Sequence, residues 1–231
     1  MQPWRHRRVV AMTSGGGAAA FSPLDISGLQ LWLDASQIVG LNDGDPVGTW
    51  PDSSGNGRDF TQATGSSKPV YKTNIRGTLP AVLFDGVDDH VEATFSCTAK
   101  TIVTVYKVSG GTQYSRPYDF APSNKCIYRD ASDTAIGAYN GGFGPTLSGA
   151  STGFRVATYT FDASTSGLRV DGVTSTPVPG VWGTALFGNH SVGAEASGLN
   201  PLLGYVSHVL LYDSLISAQD ALSLENYFAT H

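Results

Sequence analysis

Residues 50–59 read WPDSSGNGRD and form the densest cluster of polar residues in the chain. Two acids, an asparagine, two serines and two glycines follow Trp50 within nine positions. Glycine permits positive φ, and Asp and Asn side chains hydrogen-bond nearby backbone groups, so the pattern predicts a turn that Trp50 anchors. Carboxylate and amide oxygens also suit Ca²⁺, which makes Asp52 and Asn56 candidate calcium ligands.

The rest of the chain alternates short apolar runs with turn-forming residues. Its 231 residues give room for one large domain or two small ones. Only 14% of the residues are charged and 28 are glycine, against roughly 25% charged in an average soluble protein. Apolar runs punctuated by Gly, Asn, Asp, Ser and Pro predict an all-β sandwich. The predicted strands span residues 29–34, 81–84, 90–95, 101–108, 125–129, 134–139, 154–161, 167–170 and 203–212.

Two local signals are stronger than the rest. Asp171-Gly172 is a two-residue turn signal between short strands, so residues 167–175 are predicted to form a hairpin. Near the C-terminus, Ser217 and Asp220 have the spacing of a helix N-cap and its first-turn acid. The apolar residues that follow recur on one helical face, and the helix is expected at the edge or end of a sheet. They are Ala221, Leu224 and Phe228.

The first 23 residues differ from the rest in charge and composition. Trp4, Arg5, Arg7 and Arg8 lie in a segment without acids, and a Gly-rich linker, TSGGGAAAFSP, spans residues 13–23. The net charge of the chain is −5, so the remainder carries −8. We therefore predict a basic N-terminal arm that docks on an acidic protein surface, followed by a single domain over residues 24–231.

The sequence carries no signature of an enzyme. It contains no H-E-x-x-H zinc motif and no G-x-S-x-G nucleophile turn. A glycosidase needs two nearby carboxylates, but the glutamates Glu92, Glu195 and Glu225 form no E-x-D-x-E run. We expect no catalytic residues and no cofactor other than calcium.

Other polar and thiol residues have simpler interpretations. The segment Asp85-Gly86-Val87-Asp88-Asp89 predicts a tight turn, with Asp85 and Asp88 as alternative calcium ligands. The histidines lack metal spacing and are expected to be structural. Cys97 and Cys126 are expected to be free thiols.

Several segments together resemble the laminin G-like, concanavalin A-like jelly-roll domains of phage virion and bacterial surface proteins. The resemblance covers about residues 24–231. It implies a two-sheet antiparallel jelly-roll sandwich with a short C-terminal helix and an extended N-terminal arm. The matching segments are GLQLWLDAS at 28–36, VGTWPDSSGNG at 47–57, TQAT at 61–64, PAVLFDGVDD at 80–89, LGYVSHVLLYD at 203–213 and LIS at 215–217.

This fold hosts lectins, glycosidases and adhesion modules, so two functions follow as expectations. The first is a structural virion protein, such as a capsid decoration or head- or tail-associated protein, that forms a homo-oligomer within the particle and docks through its arm. The alternative is an extracellular or cell-surface module that binds glycans. Candidate aromatic contacts for a glycan are Tyr139 and Trp182, with Tyr114, Tyr118, Tyr128 and Phe143.

Nucleic acid and membranes are not expected partners. A phosphate-binding face needs concentrated Lys and Arg, whereas the body of the chain is acidic. No run of about 18 apolar residues occurs. The remaining candidates are protein subunits of an assembly and glycans.

Overall fold

The computed structural model describes residues 20–111, 114–121, 125–129, 135–140, 143–148, 153–161, 165–179, 186–195 and 197–231. These residues form two antiparallel sheets that pack face to face, with one α-helix near the C-terminus. The all-β sandwich prediction is therefore confirmed.

The strands are numbered along the chain. They are β1 (Leu29–Asp34), β2 (Thr49–Trp50), β3 (Phe60–Thr61), β4 (Val70–Arg76), β5 (Leu79–Asp85), β6 (Val91–Thr98), β7 (Thr101–Gly111), β8 (Ser115–Ala121), β9 (Lys125–Arg129), β10 (Ala135–Asn140), β11 (Phe143–Ser148), β12 (Arg155–Thr160), β13 (Thr165–Val170), β14 (Val173–Thr174), β15 (Val178–Pro179), β16 (Leu186–Val192) and β17 (Leu202–Tyr212). Short 3₁₀ turns span Pro23–Asp25, Ala35–Gln37 and Gly65–Ser67, and helix α1 spans Ala218–Phe228.

The first sheet is organised around β17. Its strand order is β14-β13-β12-β7-β17-β5-β4, with β1 added to β17 and β15 to β13. One edge of β17 pairs with β7 from Leu202 to Tyr212. The opposite edge is shared, because β5 pairs with residues 203–206 and β1 with residues 208–212. β17 thereby connects the chain's first strand to the middle of the sheet.

The second sheet has the order β11-β10-β9-β8-β16-β6-β3-β2. Its inner face packs against the first sheet, and alternating residues of both sheets fill the space between them. The largest side chains of this core that are almost fully buried are Leu31, Leu33, Trp50, Phe60, Phe84, Tyr106, Tyr118, Phe120 and Tyr159.

Helix α1 begins as the sequence predicts. The Ser217 hydroxyl accepts a hydrogen bond from Asp220 N, and the Asp220 carboxylate accepts one from Ser217 N, which completes a capping box. The predicted apolar face is buried. It does not lie at a sheet edge, however, but on the outer face of the first sheet, where Trp32 and Leu210 help to form a second core. The helix packs on this face because its own apolar side chains and those of the sheet are thereby buried from water.

The hairpin prediction is also confirmed. β13 and β14 pair as Arg169↔Thr174 and Val170↔Val173. Asp171 has φ 46° and Gly172 has φ 85°, the left-handed pair that a tight hairpin turn requires. Asp171 also binds Val156 N and the Arg155 guanidinium, which ties the turn to β12.

At the N-terminal side, packing against the domain begins at Phe21, three residues before the predicted start at residue 24. The Phe21 ring contacts the Tyr227 ring edge to face, with centroids 6.1 Å apart. Ser22 caps the 3₁₀ turn that starts at Pro23. The arm residues Trp4, Arg5, Arg7 and Arg8 lie outside the described residues.

The two cysteines are separated within the second sheet. Cys97 lies on β6 and Cys126 on β9, with β16 and β8 between them. Three interstrand spacings amount to about 14 Å, well beyond the reach of a disulfide. Cys97 is a buried thiol whose pKa burial raises to about 11.

None of the helices in the described part of the chain is long and apolar enough to span a membrane.

A substitution at Gly193 tests how closely the two sheets pack. It has φ +95°, and a Cβ at this position would lie 2.0 Å from Cδ1 of the buried Phe84. We expect Gly193→Ala to lower the free energy of unfolding by about 2–4 kcal/mol, measured by chemical denaturation. Gly40→Ala is the control, because Gly40 has a similar φ of +79° but open space around it. It should cost only about 1 kcal/mol, and equal losses would contradict the packing.

Candidate functional site

The turn at residues 50–59 joins the two sheets. It connects β2 to β3 in the second sheet, while its Asp52 reaches β1 in the first. Asp52 Oδ1 accepts hydrogen bonds from Trp32 N (3.0 Å) and Ser54 N (2.9 Å). Asp52 Oδ2 accepts from Ser54 Oγ (2.8 Å) and Arg58 N (3.1 Å). This carboxylate is therefore a structural cross-link.

The other residues of the turn support the same arrangement. Gly55 and Gly57 have φ of 86° and 69°, as the turn prediction requires. Asn56 Nδ2 donates to the backbone oxygen of Gln30 at 3.1 Å. Arg58 Nη1 donates to the same oxygen at 2.8 Å and to Gln30 Oε1 at 3.0 Å. A cation at Asp52 would have to displace several of these donors, so the geometry favours the turn interpretation over calcium.

An open groove of about 520 Å³ lies between this turn and β6. We call it the β6 groove, and its lining is mainly polar. β6 contributes the exposed side chains of Glu92 and Thr94, because alternate residues of a strand face the same side. The turn side contributes Asn56, Arg58 and Asp59, and Thr61 and Phe95 complete the lining used below.

The floor of the β6 groove is held rigidly. The Arg58 guanidinium lies over the Phe95 ring, 4.6 Å from its centroid. The opposite face of Phe95 stacks on His190, with centroids 3.8 Å apart and planes at 6°. His190 is fully buried and contacts the Tyr118 hydroxyl at 2.6 Å. The groove is thus built on two strands and a cross-linked turn, so its polar groups are already in place before any ligand arrives.

A second polar cluster is the turn at residues 85–89. Oxygen atoms of Asp85, Asp88 and Asp89 lie within 4.8 Å of one another, so Asp89 joins the two residues that the sequence singled out. Asp85 Oδ1 accepts from Val87 N, and Asp88 Oδ2 accepts from Ser67 Oγ. Three carboxylates give only part of the six to eight oxygens that Ca²⁺ takes. Calcium binding here stays a prediction.

The two candidate calcium turns do not form one site. Asp85 pairs with Leu203 of β17, whereas the 50–59 turn meets β1 at Leu33, which pairs with Val209. Six residues along a strand separate these positions, a distance of about 20 Å. Each turn is therefore considered by itself.

Asp89 is the buried member of its cluster. Burial raises its pKa to about 7, and the neighbouring Asp85 carboxylate adds to this effect. Asp89 Oδ2 accepts a hydrogen bond from Asp85 N at 3.0 Å, which fixes its position at the end of β5. The sequence shows this residue only as one acid among three.

The aromatic glycan candidates lie in different surroundings. Tyr118 and Tyr128 are buried, so they pack in the core. Tyr114 is partly exposed and contacts the Tyr128 ring. Tyr139 lies on β10 and Phe143 begins β11, but their side chains are not among those described. Trp182 falls outside the described residues.

The raised pKa of Asp89 predicts a pH dependence of stability. Between about pH 4 and pH 7 the folded chain holds a proton on Asp89 that the unfolded chain releases, so stability falls as pH rises through this range. We expect Asp89→Asn to flatten this part of the profile, measured as the free energy of unfolding at pH 5 and pH 8.

The control is Asp43→Asn, which alters an exposed acid paired with Lys72 on the surface. An unchanged slope in Asp89→Asn would contradict the assignment. The same measurement tests the calcium prediction, because Ca²⁺ bound at Asp85 and Asp88 would stabilise the chain at pH 8 relative to a chelator. Equal stability with and without Ca²⁺ would count against that prediction.

Comparison with known proteins shows similarity in fold only. No protein-family model and no curated protein matches the sequence. Trypanosoma rangeli sialidase is similar over 93% of this chain and 34% of its own, with a TM-score of 0.63 and 15% identity. The chain therefore spans about a third of the sialidase chain.

Two further structures are similar. Domain 4 of AbnA, a GH43 extracellular arabinanase from Geobacillus stearothermophilus in complex with arabinotriose, matches over 86% of this chain and 98% of its own, with a TM-score of 0.60 and 14% identity. A structure of botulinum neurotoxin type C, whose cell entry depends on two ganglioside molecules, is also similar. It matches over 88% of this chain and 51% of its own, with a TM-score of 0.59 and 10% identity. The chain thus has a β-sandwich fold that is also found in proteins that act on or bind carbohydrates.

Proposed function

We propose that the chain is a non-catalytic module that binds a neutral oligosaccharide in the β6 groove. The observation that carries this proposal is the groove itself, an open, polar and rigid surface of about 520 Å³. Oligosaccharides present many hydroxyl groups, so a site for them needs several fixed hydrogen-bonding side chains rather than a closed apolar cavity.

The groove supplies both donors and acceptors. Glu92 is an exposed carboxylate that accepts hydrogen bonds, and Thr61 presents a hydroxyl on the strand beside it. Thr94 Oγ1 already donates to Asn189 Oδ1 at 3.0 Å, so its oxygen is oriented as an acceptor. Arg58 has further N–H groups beside those that bind Gln30. A sugar hydroxyl, which both donates and accepts, matches this mixture.

The charges in the groove favour a neutral ligand. Asp59 and Glu92 are negative, and Arg58 is the single cation among the described residues that line the groove. The net charge is therefore −1, and the Arg58 guanidinium is engaged with Gln30 and Phe95. An anionic sugar would meet like charge here, which costs binding free energy. We therefore expect neutral oligosaccharides to bind better than sialylated ones.

The comparisons support carbohydrate binding as the general class. The arabinanase domain was solved with arabinotriose, and the chain covers nearly all of that domain. At 14% identity, this similarity supports a shared fold but does not indicate that the two proteins bind the same ligand.

Binding without hydrolysis is consistent with the acids of the groove. Glycoside hydrolysis uses two carboxylates, one of which protonates the leaving group. Asp59 Oδ1 accepts a hydrogen bond from Asp52 N at 2.8 Å and so helps to close the turn. Among the described residues of the groove, Glu92 is then the acid that is exposed to a ligand without such a structural bond.

Glu92→Gln tests the groove as a binding site. We expect it to weaken binding of a neutral oligosaccharide such as arabinotriose about tenfold, because a charged acceptor is lost. The same change should improve binding of a sialylated oligosaccharide relative to the unmodified chain. Isothermal titration calorimetry measures both effects, after a glycan array has identified a neutral ligand.

Asp43→Asn serves as the control, since it removes an exposed acid that does not line the β6 groove. It should leave both affinities unchanged. Preferential binding of sialylated glycans by the unmodified chain, or equal effects of the two substitutions, would refute the proposed site. Absence of any glycan signal on the array would refute the function.

A second candidate function is the structural role in a particle, with virion localisation and homo-oligomers. The observation that favours it is the charge contrast between the basic arm and the body, which carries −8. The comparisons support neither a phage family nor a capsid partner. This role therefore rests on the sequence.

Deletion of residues 1–19, which leaves the packed Phe21 and Ser22 in place, tests the structural role. We expect the truncated chain to lose incorporation into particles, because Trp4, Arg5, Arg7 and Arg8 are the proposed docking residues. Occupancy in purified particles is the measurement. Unchanged occupancy would rule out docking through the arm, whereas glycan binding by the β6 groove should survive the deletion.

A further inference from the structure

A separate pocket lies between helix α1, the end of β1, the start of β5 and the middle of β17. Its volume is about 190 Å³, and we call it the α1 pocket. Its lining combines aromatic and apolar side chains with buried polar side chains. The lining residues used below are Trp32, Asp34, Gln37, Leu79, His208 and Tyr227. None of them lines the β6 groove.

The α1 pocket is lined by residues that carry buried polar atoms. Trp32 is 8% exposed and His208 is 4% exposed, yet no described residue forms a hydrogen bond with Trp32 Nε1 or His208 Nδ1. His208 Nδ1 lies 3.6 Å from Asp34 Oδ1, too far for a hydrogen bond. A buried polar group left unpaired costs about 1–3 kcal/mol. Both atoms have almost no accessible surface, so a molecule in the pocket reaches them only after the surrounding side chains shift.

The charges around the pocket cancel. Asp34 is 6% exposed, and its Oδ1 accepts a hydrogen bond from Ser36 N at 2.8 Å. Arg76 lies behind His208, with Nη2 3.4 Å from His208 Nε2. Burial lowers the pKa of Arg76, and the Asp34 carboxylate raises it. Burial also lowers the pKa of His208 to about 4, so this ring is neutral near pH 7. Asp34 and Arg76 are thus one buried anion and one partly buried cation, which favours an uncharged ligand, and His231, which also lines the pocket, is exposed to solvent.

The size and walls of the pocket limit the ligand further. At about 30 Å³ for each water molecule, 190 Å³ corresponds to roughly six waters. That space fits a single sugar ring but not an oligosaccharide. The Trp32 and Tyr227 rings meet at 71°, with centroids 6.4 Å apart. Such amphipathic rings provide an apolar wall for the C–H face of a ring-shaped polyol while polar groups bind its hydroxyls.

We propose that the α1 pocket binds one neutral polyhydroxylated molecule of the size of a single sugar ring. Asp34 accepts hydrogen bonds from its hydroxyls at the buried end, the Trp32 and Tyr227 rings form the apolar wall, and Gln37 contacts it at the exposed end. This site does not depend on the β6 groove or on its oligosaccharide.

The indole N–H of Trp32 reports binding directly. In ¹H–¹⁵N NMR spectra of the intact chain, we expect its resonance to move saturably when D-galactose, D-xylose or myo-inositol is added. The backbone amide of Glu92 in the β6 groove reports independently on the other site. Choline chloride and sodium acetate, a cation and an anion of small size, should leave the Trp32 resonance unmoved.

Gln37→Ala removes a polar group from the exposed end of the pocket and should weaken the neutral ligand several-fold, up to about tenfold. Gln219→Ala is the matched control, because Gln219 is exposed on α1 and does not line the pocket. An unmoved Trp32 resonance with all three polyols would overturn the proposal. A response to choline or acetate instead would overturn the neutral class of ligand.

Discussion

The hydrogen-bond ladder of β17 fixes the positions of β1, β5 and β7 and, through β1, of the 50–59 turn. Residues 202–212 pair with β7 along one edge and with both β5 and β1 along the other. Val206, Val209 and Leu211 face the core between the sheets, and Leu210 and Tyr212 face helix α1. A slip of one residue would exchange these two apolar sets and reverse the faces. Because β1 is fixed by this ladder, the turn that Asp52 attaches to β1 is also fixed.

Both proposed sites follow from the position of β1. On one side, the backbone of β1 forms hydrogen bonds with the turn that makes one wall of the β6 groove. Trp32 N donates to the Asp52 carboxylate, and Gln30 O accepts from Asn56 and Arg58. On the other, the side chain of Trp32 lines the α1 pocket. The strand therefore supports two ligand sites that differ in shape. The open polar groove suits a chain of sugars, and the small pocket suits one ring.

Local patterns in the sequence predicted the local structure well. The capping box at Ser217 and the Asp171-Gly172 hairpin involve residues a few positions apart, so their chemistry is readable directly. Strands such as β8 were missed because Arg116 and Asp119 interrupt the apolar pattern. In the fold these two are buried as an ion pair, with Arg116 Nη1 2.9 Å from Asp119 Oδ1. The sites were also missed, since partners such as Asp34 and His208 meet only through pairing of β1 with β17. Glu92 reads in sequence as an ordinary outward strand residue.

We propose that the β6 groove is the binding surface for a neutral oligosaccharide. A crystal structure of the intact chain with such an oligosaccharide bound would locate the ligand. We expect sugar density along β6, with hydroxyl groups within hydrogen-bond distance of the Glu92 carboxylate and the Thr94 hydroxyl. Density confined to another surface, with the side chains of the groove unchanged, would contradict it.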